Sequence, residues 1–252
     1  MIARRPMLIA ALSGVLALAL GAAASAGETK VAVAANFTEA AKEIAAKFKA
    51  RTGHDATLSF GSSGQFYTQI ANGAPFEVFL SADAERPRRA EAEGLATPGS
   101  RFTYATGRLV LWSKTPGLVD GKGAVLAQGK FEKLSIADPK AAPYGEAAVE
   151  TLTKLKLYDV LKPKIVQGAS ITQAFQYVQT GAAELGFVAL SQVVKEAGGS
   201  RWIVPASNHT PIEQQAVLLK TGEKNEAAKA FVKFLKGPEA KAIIQRYGYE
   251  VR

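Results

Sequence analysis

Short apolar runs alternate with stretches of helical spacing along almost the whole chain, and the alternation breaks off once and then resumes. Repeated strand–helix alternation commits a chain to an α/β architecture with a largely parallel sheet, because parallel neighbours need a crossover between them. Residues 30–34 read as a short buried strand, and 38–52 as a helix carrying Ala41, Ile44, Ala45 and Phe48 on one face. A strand over 55–60, a helix over 63–72, a strand over 78–81 and a helix over 85–93 complete a first β-α-β-α-β-α set. Residues 102–113 then form one long strand-like stretch rich in aromatic and β-branched residues, suited to cross between two lobes.

A second set follows, with strands over 134–137, 165–167 and 185–189 and helices over 145–155 and 172–180. Pro205, Asn208 and Pro211 mark 204–214 as the return crossing. A strand over 216–220 and one or two helices over 224–247, broken near Gly237-Pro238, close the chain. The lobes are therefore 27–104 together with 208–252, and 105–207 between them. Two α/β lobes joined by two crossings form a cleft with a hinge.

Residues 1–26 have the pattern of a cleaved secretory signal peptide. Arg4 and Arg5 precede an apolar run over 7–23, and Ala24-Ser25-Ala26 is a small-x-small cleavage triplet. No Cys follows it to carry a lipid, so the expected product is free in the periplasm. The chain has no Cys at all, which excludes disulfides, zinc–thiolate sites and iron–sulfur clusters. Its formal charge of +9, two of it in the leader, is spread along the chain, with the tightest group at Arg86, Arg88 and Arg89. Without an aromatic-interleaved basic stripe this is a diffuse field that draws in anions, not a nucleic-acid surface.

Three strand-to-helix loops carry the chemistry. They are Ala34-Ala35-Asn36-Phe37-Thr38, Phe60-Gly61-Ser62-Ser63-Gly64 and Ala142-Pro143-Tyr144-Gly145. Open α/β sheets bind ligands at the carboxyl ends of their strands. A helix starting there points unpaired backbone N–H groups and the positive end of its dipole at the ligand. Asn, Ser and Gly at such places are also ordinary caps and turns, so composition alone leaves a cap and an anion site both open. The loops contain no Lys or Arg, so an anion bound there would be met by neutral donors and dipoles.

With these loops, the blocks Asn72-Gly73-Ala74-Pro75, Phe79-Leu80-Ser81-Ala82-Asp83 and Gly186-Phe187-Val188-Ala189-Leu190 stand in a characteristic order. So do Phe231 to Pro238 and Tyr247-Gly248-Tyr249 at the end. In this order and spacing the sequence resembles the periplasmic molybdate-binding proteins of ABC transporters, over essentially the whole chain after the leader. The resemblance implies a two-lobe periplasmic-binding-protein fold (type II-like), with a sheet flanked by helices in each lobe and the ligand between them. It implies capture of molybdate, and of tungstate as well, for delivery to the membrane permease of an ABC transporter, by a monomer without a cofactor.

By position, the resemblance makes Asn36 and Ser63 donors from the first lobe and Tyr144 and Ile171 donors from the second, Ile171 through its backbone N–H. One subset of the family supplies its Tyr from the Pro-Tyr-Gly loop and another from the position that is Ala189 here, and this chain is similar to the first. Where the closest pattern has Thr beside the first-loop Asn, this chain has Ala35, which keeps a backbone N–H and lacks the hydroxyl.

Catalysis is not expected. Gly61-Ser62-Ser63-Gly64 is not a nucleophile elbow, and His54 and His209 have no partner at metal or triad spacing. A same-fold protein for sulfate, phosphate, an organic anion or ferric ion is the alternative. Phosphate would favour a carboxylate acceptor, for which Asp83 is the nearest candidate though better placed as a helix cap. Ferric ion would want several Tyr, and these loops offer only Tyr144.

Overall fold

The computed structural model describes residues 26–251. The expected leader, apart from Ala26, lies outside them. The chain opens with β1 (Glu28–Ala34), α1 (Thr38–Thr52), β2 (Asp55–Gly61), α2 (Ser63–Ala71), β3 (Val78–Leu80), α3 (Glu85–Ala92) and β4 (Phe102–Gly107). It continues through β5 (Leu109–Ser113), α4 (Val125–Gln128), β6 (Leu134–Ala137), α5 (Pro143–Lys154) and α6 (Tyr158–Leu161). Then come β7 (Ile165–Gly168), α7 (Ile171–Gln179), β8 (Leu185–Ala189), α8 (Leu190–Val193) and β9 (Ser200–Ile203), and finally β10 (Ile212–Leu218), α9 (Glu226–Leu235) and α10 (Pro238–Arg246).

The strands form two five-stranded sheets, ordered β2-β1-β3-β10-β4 and β7-β6-β8-β5-β9. Each is mixed. In the first, β1 runs parallel to β2 and β3, and β10 runs antiparallel to β3 and β4. In the second, β6 is parallel to β7 and β8, and β5 is antiparallel to β8 and β9. The antiparallel members are the strands that lead into and out of the crossings. They enter the sheets directly, without a crossover helix to keep them parallel.

The stretch over 102–113 splits between the sheets, and the change falls at Arg108 rather than at the expected 104/105 boundary. The return crossing is shorter than expected, because Ile212 already pairs with Gly107. Strand β9 and the short helices α4, α6 and α8 have no counterpart in the sequence reading. The helices α4, α6 and α8 are single turns, too short to display a helical period.

Each sheet has its own core. Val31, Val33, Ile44, Phe48, Leu80 and Phe231 are fully buried around the first, and Leu109, Leu111, Ile136, Leu152, Leu185 and Phe187 around the second. Each such side chain contributes about 1.5–3 kcal/mol from the apolar surface it removes from water. The second core does not stop at its own lobe. It takes in Ala34, Ala35 and Ala82 from loops of the first sheet, packed with Ala142, Tyr144 and Ile171. The cleft between the lobes is therefore closed, and its walls are small residues from one side and two large ones from the other.

Candidate functional site

Four helical segments begin at this closed seam. A 3₁₀ turn (Ala35–Phe37) follows β1, α2 follows β2, α5 starts at Pro143 after β6, and α7 starts at Ile171 after β7. The first residues of a helix have no intrahelical acceptor for their N–H groups. At α5 the first of these donors is absent, because Pro143 occupies it, so Tyr144 supplies the leading N–H. The cavity between these starts is small, about 10 Å³, and is lined by Ala34, Ala35, Asn36, Gly61, Ser62, Ser63, Ala82, Ala142, Pro143, Tyr144 and Ile171. All five residues expected to hold a ligand, Ala35, Asn36, Ser63, Tyr144 and Ile171, thus lie on one wall or another of a single small chamber. No Lys, Arg or carboxylate lines it.

The lobes meet around this chamber through direct hydrogen bonds. Gly64 N–H donates to Ala141 O at 2.9 Å, and Arg86 Nη2 donates to Lys140 O at 3.1 Å while its other arm pairs with Asp83. Ser191 Oγ, just beyond β8, donates to Asn36 O at 2.8 Å. A Cβ at Gly64 would stand 3.0 Å from both Ala141 Cα and Ala141 O, so the glycine is what lets the two backbones touch. Asp83 also accepts the Arg86 N–H at 2.9 Å, the helix-capping role expected of it.

The polar groups behind the chamber sort donors from acceptors. Ser63 Oγ accepts the Ala82 N–H at 2.9 Å, which leaves its own proton for the chamber. Tyr144 is 1% exposed, and its Oη accepts from Gln214 Nε2 at 3.1 Å, so its proton too is free to point inward. Asn36 has its side chain engaged elsewhere. Both hydrogens of its side-chain amide are committed, to Gln214 Oε1 and to Tyr249 Oη, each at 2.9 Å. The donor it retains for a ligand is its backbone N–H in the first turn.

Gln214 was not legible as a site residue, and it organises the others. It is fully buried, with Oε1 also accepting from Tyr104 Oη at 2.9 Å. Tyr249, near the C-terminus, closes the arrangement with its Oη 2.8 Å from Asn36 O and 3.0 Å from Ser191 Oγ. The only signal in the sequence was the polar run Glu213-Gln214-Gln215 inside a strand that is otherwise apolar, where a buried amide needs partners to be tolerated. Successive strand residues face opposite ways, so Gln214 faces the seam and Gln215 bonds to Thr103 and Arg101 on the other side; the β10–β4 register shifts between the two.

Burial, and secondarily the neighbouring Tyr249 and Tyr104, push the Tyr144 phenol well above its ordinary value, and burial does the same for Tyr104 and Tyr249. A raised phenol pKa extends the neutral, donating form upward in pH, and the donor is lost only when pH rises through the raised value. Among the described residues, Tyr144 is the only ionisable one lining the chamber. Binding of a permanently ionised oxyanion is therefore expected to be flat from about pH 6 to about pH 9, a window in which only an ordinary His would titrate. Calorimetric titrations across that range check it, and a tenfold slope would mean that a titrating group contacts the ligand.

Comparison with known proteins places these features in a family. The family described as bacterial extracellular solute-binding protein matches residues 29–250. The molybdate-binding protein ModA of Rhodobacter capsulatus is 58% identical over 246 residues, spanning 97% of each chain. The molybdate-binding protein ModA of Azotobacter vinelandii is 57% identical over 242 residues, 93% of this chain and 96% of that one. Among solved structures, the periplasmic molybdate-binding protein of Azotobacter vinelandii superposes with a TM-score of 0.86 at 46% identity, covering 89% of this chain and 99% of the other.

Proposed function

This chain belongs to the bacterial extracellular solute-binding proteins, and from that premise we propose that it captures molybdate outside the cytoplasmic membrane and delivers it to the permease of an ABC transporter. The observation that carries the reading is the chamber itself. Four helix starts and the hydroxyls of Ser63 and Tyr144 surround it with donors, and among the described residues no carboxylate lines it. A tetrahedral dianion satisfies such a shell with every oxygen. A protonated oxyanion brings an O–H that finds no carboxylate to accept it, which disfavours phosphate near neutral pH.

In this reading Ala35, Asn36 and Ile171 donate backbone N–H groups and Ser63 and Tyr144 donate hydroxyls. Each charge-assisted bond contributes about 1.5–3 kcal/mol. Five or so of them, after the entropy of ordering ligand and hinge, correspond to dissociation constants between about micromolar and about nanomolar. Tungstate, with nearly the same size and charge, is taken as well. The protein acts as a monomer, is released by cleavage after Ala26, and turns nothing over. The interlobe bonds of Gly64, Arg86 and Ser191 hold the loaded form shut until the permease opens it.

Calorimetric titration with molybdate, tungstate, sulfate and phosphate under one set of conditions tests the proposal. Sub-micromolar molybdate and tungstate binding with sulfate and phosphate silent is the expected result. Heat from sulfate or phosphate and none from molybdate would keep the fold and overturn the ligand.

A further inference from the structure

The sequence reading passed over Ser62 in favour of its neighbour, and the structure gives it an unexplained hydroxyl. Ser62 stands in the N-cap position of α2 with extended backbone angles (φ −76°, ψ 148°), yet its side chain makes no cap hydrogen bond. An N-cap Ser ordinarily accepts the N–H of the second or third helical residue. Here the second such donor, Gly64 N–H, is turned across the seam to Ala141 O at 2.9 Å. The Ser62 side chain is 3% exposed, and its Oγ has no hydrogen-bond partner. Two other buried hydroxyls among the described residues share that condition, Thr29 and Thr97, and neither lines the chamber, whereas Ser62 does.

A buried hydroxyl with no partner carries its full desolvation penalty. Such a group in a chamber built of donors is accounted for by a guest that accepts its proton. We propose that Ser62 Oγ–H donates directly to the bound oxyanion, as a contact additional to those of Ala35, Asn36, Ser63, Tyr144 and Ile171. The contact rests on the oxyanion reading of the chamber. With the cleft shut, one of the two helix N–H groups a capping Ser62 could engage, that of Gly64, is committed to the opposite lobe. The Ser62 hydroxyl has no partner on the protein, and its proton is left for the ligand. Ser62 and Ser63 then divide the work at one helix start: Ser63 Oγ accepts the Ala82 N–H and is held by it, and Ser62 Oγ is held by the guest.

Ser62→Ala separates this role from a capping role, because the two move different quantities. Wild type and variant are titrated with sodium molybdate, and the ligand-free proteins are melted side by side. The expected result is a ten- to hundredfold loss of affinity in Ser62→Ala, the ratio belonging to one hydrogen bond to a charged group, with the melting temperature of the ligand-free protein unchanged. An unchanged affinity would overturn the contact while leaving molybdate capture standing. So would a lowered ligand-free melting temperature with affinity preserved, which is the signature of a lost cap. Absence of molybdate binding by the wild type would overturn the oxyanion reading and this contact with it.

Discussion

Tyr144→Phe is expected to weaken molybdate binding by up to about two orders of magnitude and to leave the fold intact. The hydroxyl removed is the one donor in the chamber whose proton direction is set by another side chain. Gln214 Nε2 occupies one lone pair of Tyr144 Oη at 3.1 Å, and what remains for the proton is the chamber. Burial also keeps that proton in place, since it raises the phenol's pKa well above the ordinary value. Losing one hydrogen bond to a charged acceptor costs about 1.5–3 kcal/mol, which is roughly ten- to more than a hundredfold in affinity.

The variant has a second, smaller effect. It leaves the buried Gln214 Nε2 without its phenol acceptor, a penalty of about 1–3 kcal/mol that falls on the ligand-free protein as well. A domain of this size loses about 2–4 °C of melting temperature per kcal/mol. Titration and thermal melting of the same preparation therefore read both terms. An affinity within twofold of wild type would remove Tyr144 from the contacts, whatever the melt showed.

The largest effect on stability is expected at the next residue. Gly145 lies in the first turn of α5, where the helix rests on the end of β6. A Cβ there would stand 2.2 Å from Ala137 O, 2.7 Å from Ala137 C and 3.0 Å from Asp138 C. All three obstacles are backbone, so no flexible side chain can swing aside, and α5 must lift off the strand. Overpacking of this kind costs about 3 kcal/mol or more, so Gly145→Ala is expected to lower the melting temperature on the order of 10 °C. The displaced helix carries Pro143 and Tyr144 with it, so molybdate affinity falls too. Circular dichroism melts with and without molybdate measure both, and a melt within about 2 °C of wild type would mean that the helix can shift at little cost.

These two residues also mark how far the sequence could be read. Tyr144 stands in a loop where a strand ends and a helix begins, and Asn36, Ser63 and Ile171 occupy equivalent junctions. Such junctions are written locally: an apolar run stops, small polar residues follow, and a helical period begins. Three of the strand–loop–helix units were legible for that reason, together with the two-lobe α/β plan and the helix break at Gly237-Pro238. The resemblance to molybdate-binding proteins added the assignment of donors. Which group of Asn36 is free to donate was not legible, because a free amide and a committed one look alike in a sequence.

The partners that commit it lie far along the chain. Gln214 and Tyr249 reach Asn36 across separations of 178 and 213 residues. They do so because β10 inserts between β3 and β4 and the C-terminal tail bridges to Thr106 in β4, which brings Tyr249 to Asn36. No local pattern specifies which strand a returning segment will join, since an apolar strand satisfies its backbone equally at several sheet positions. The same holds for Ser62. Its type and its place before a helix predict a cap, yet in the folded protein Gly64 N–H meets Ala141 O across the cleft and the Ser62 hydroxyl has no partner. Local periodicity and junction chemistry, which depend on neighbours a few residues apart, determined the two-lobe α/β plan and marked three of the loops around the chamber, and the family resemblance assigned the donors. Strand order and lobe closure decided which donors remain free to bind, because hydrogen-bond capacity is finite and is allotted only when distant segments come into contact.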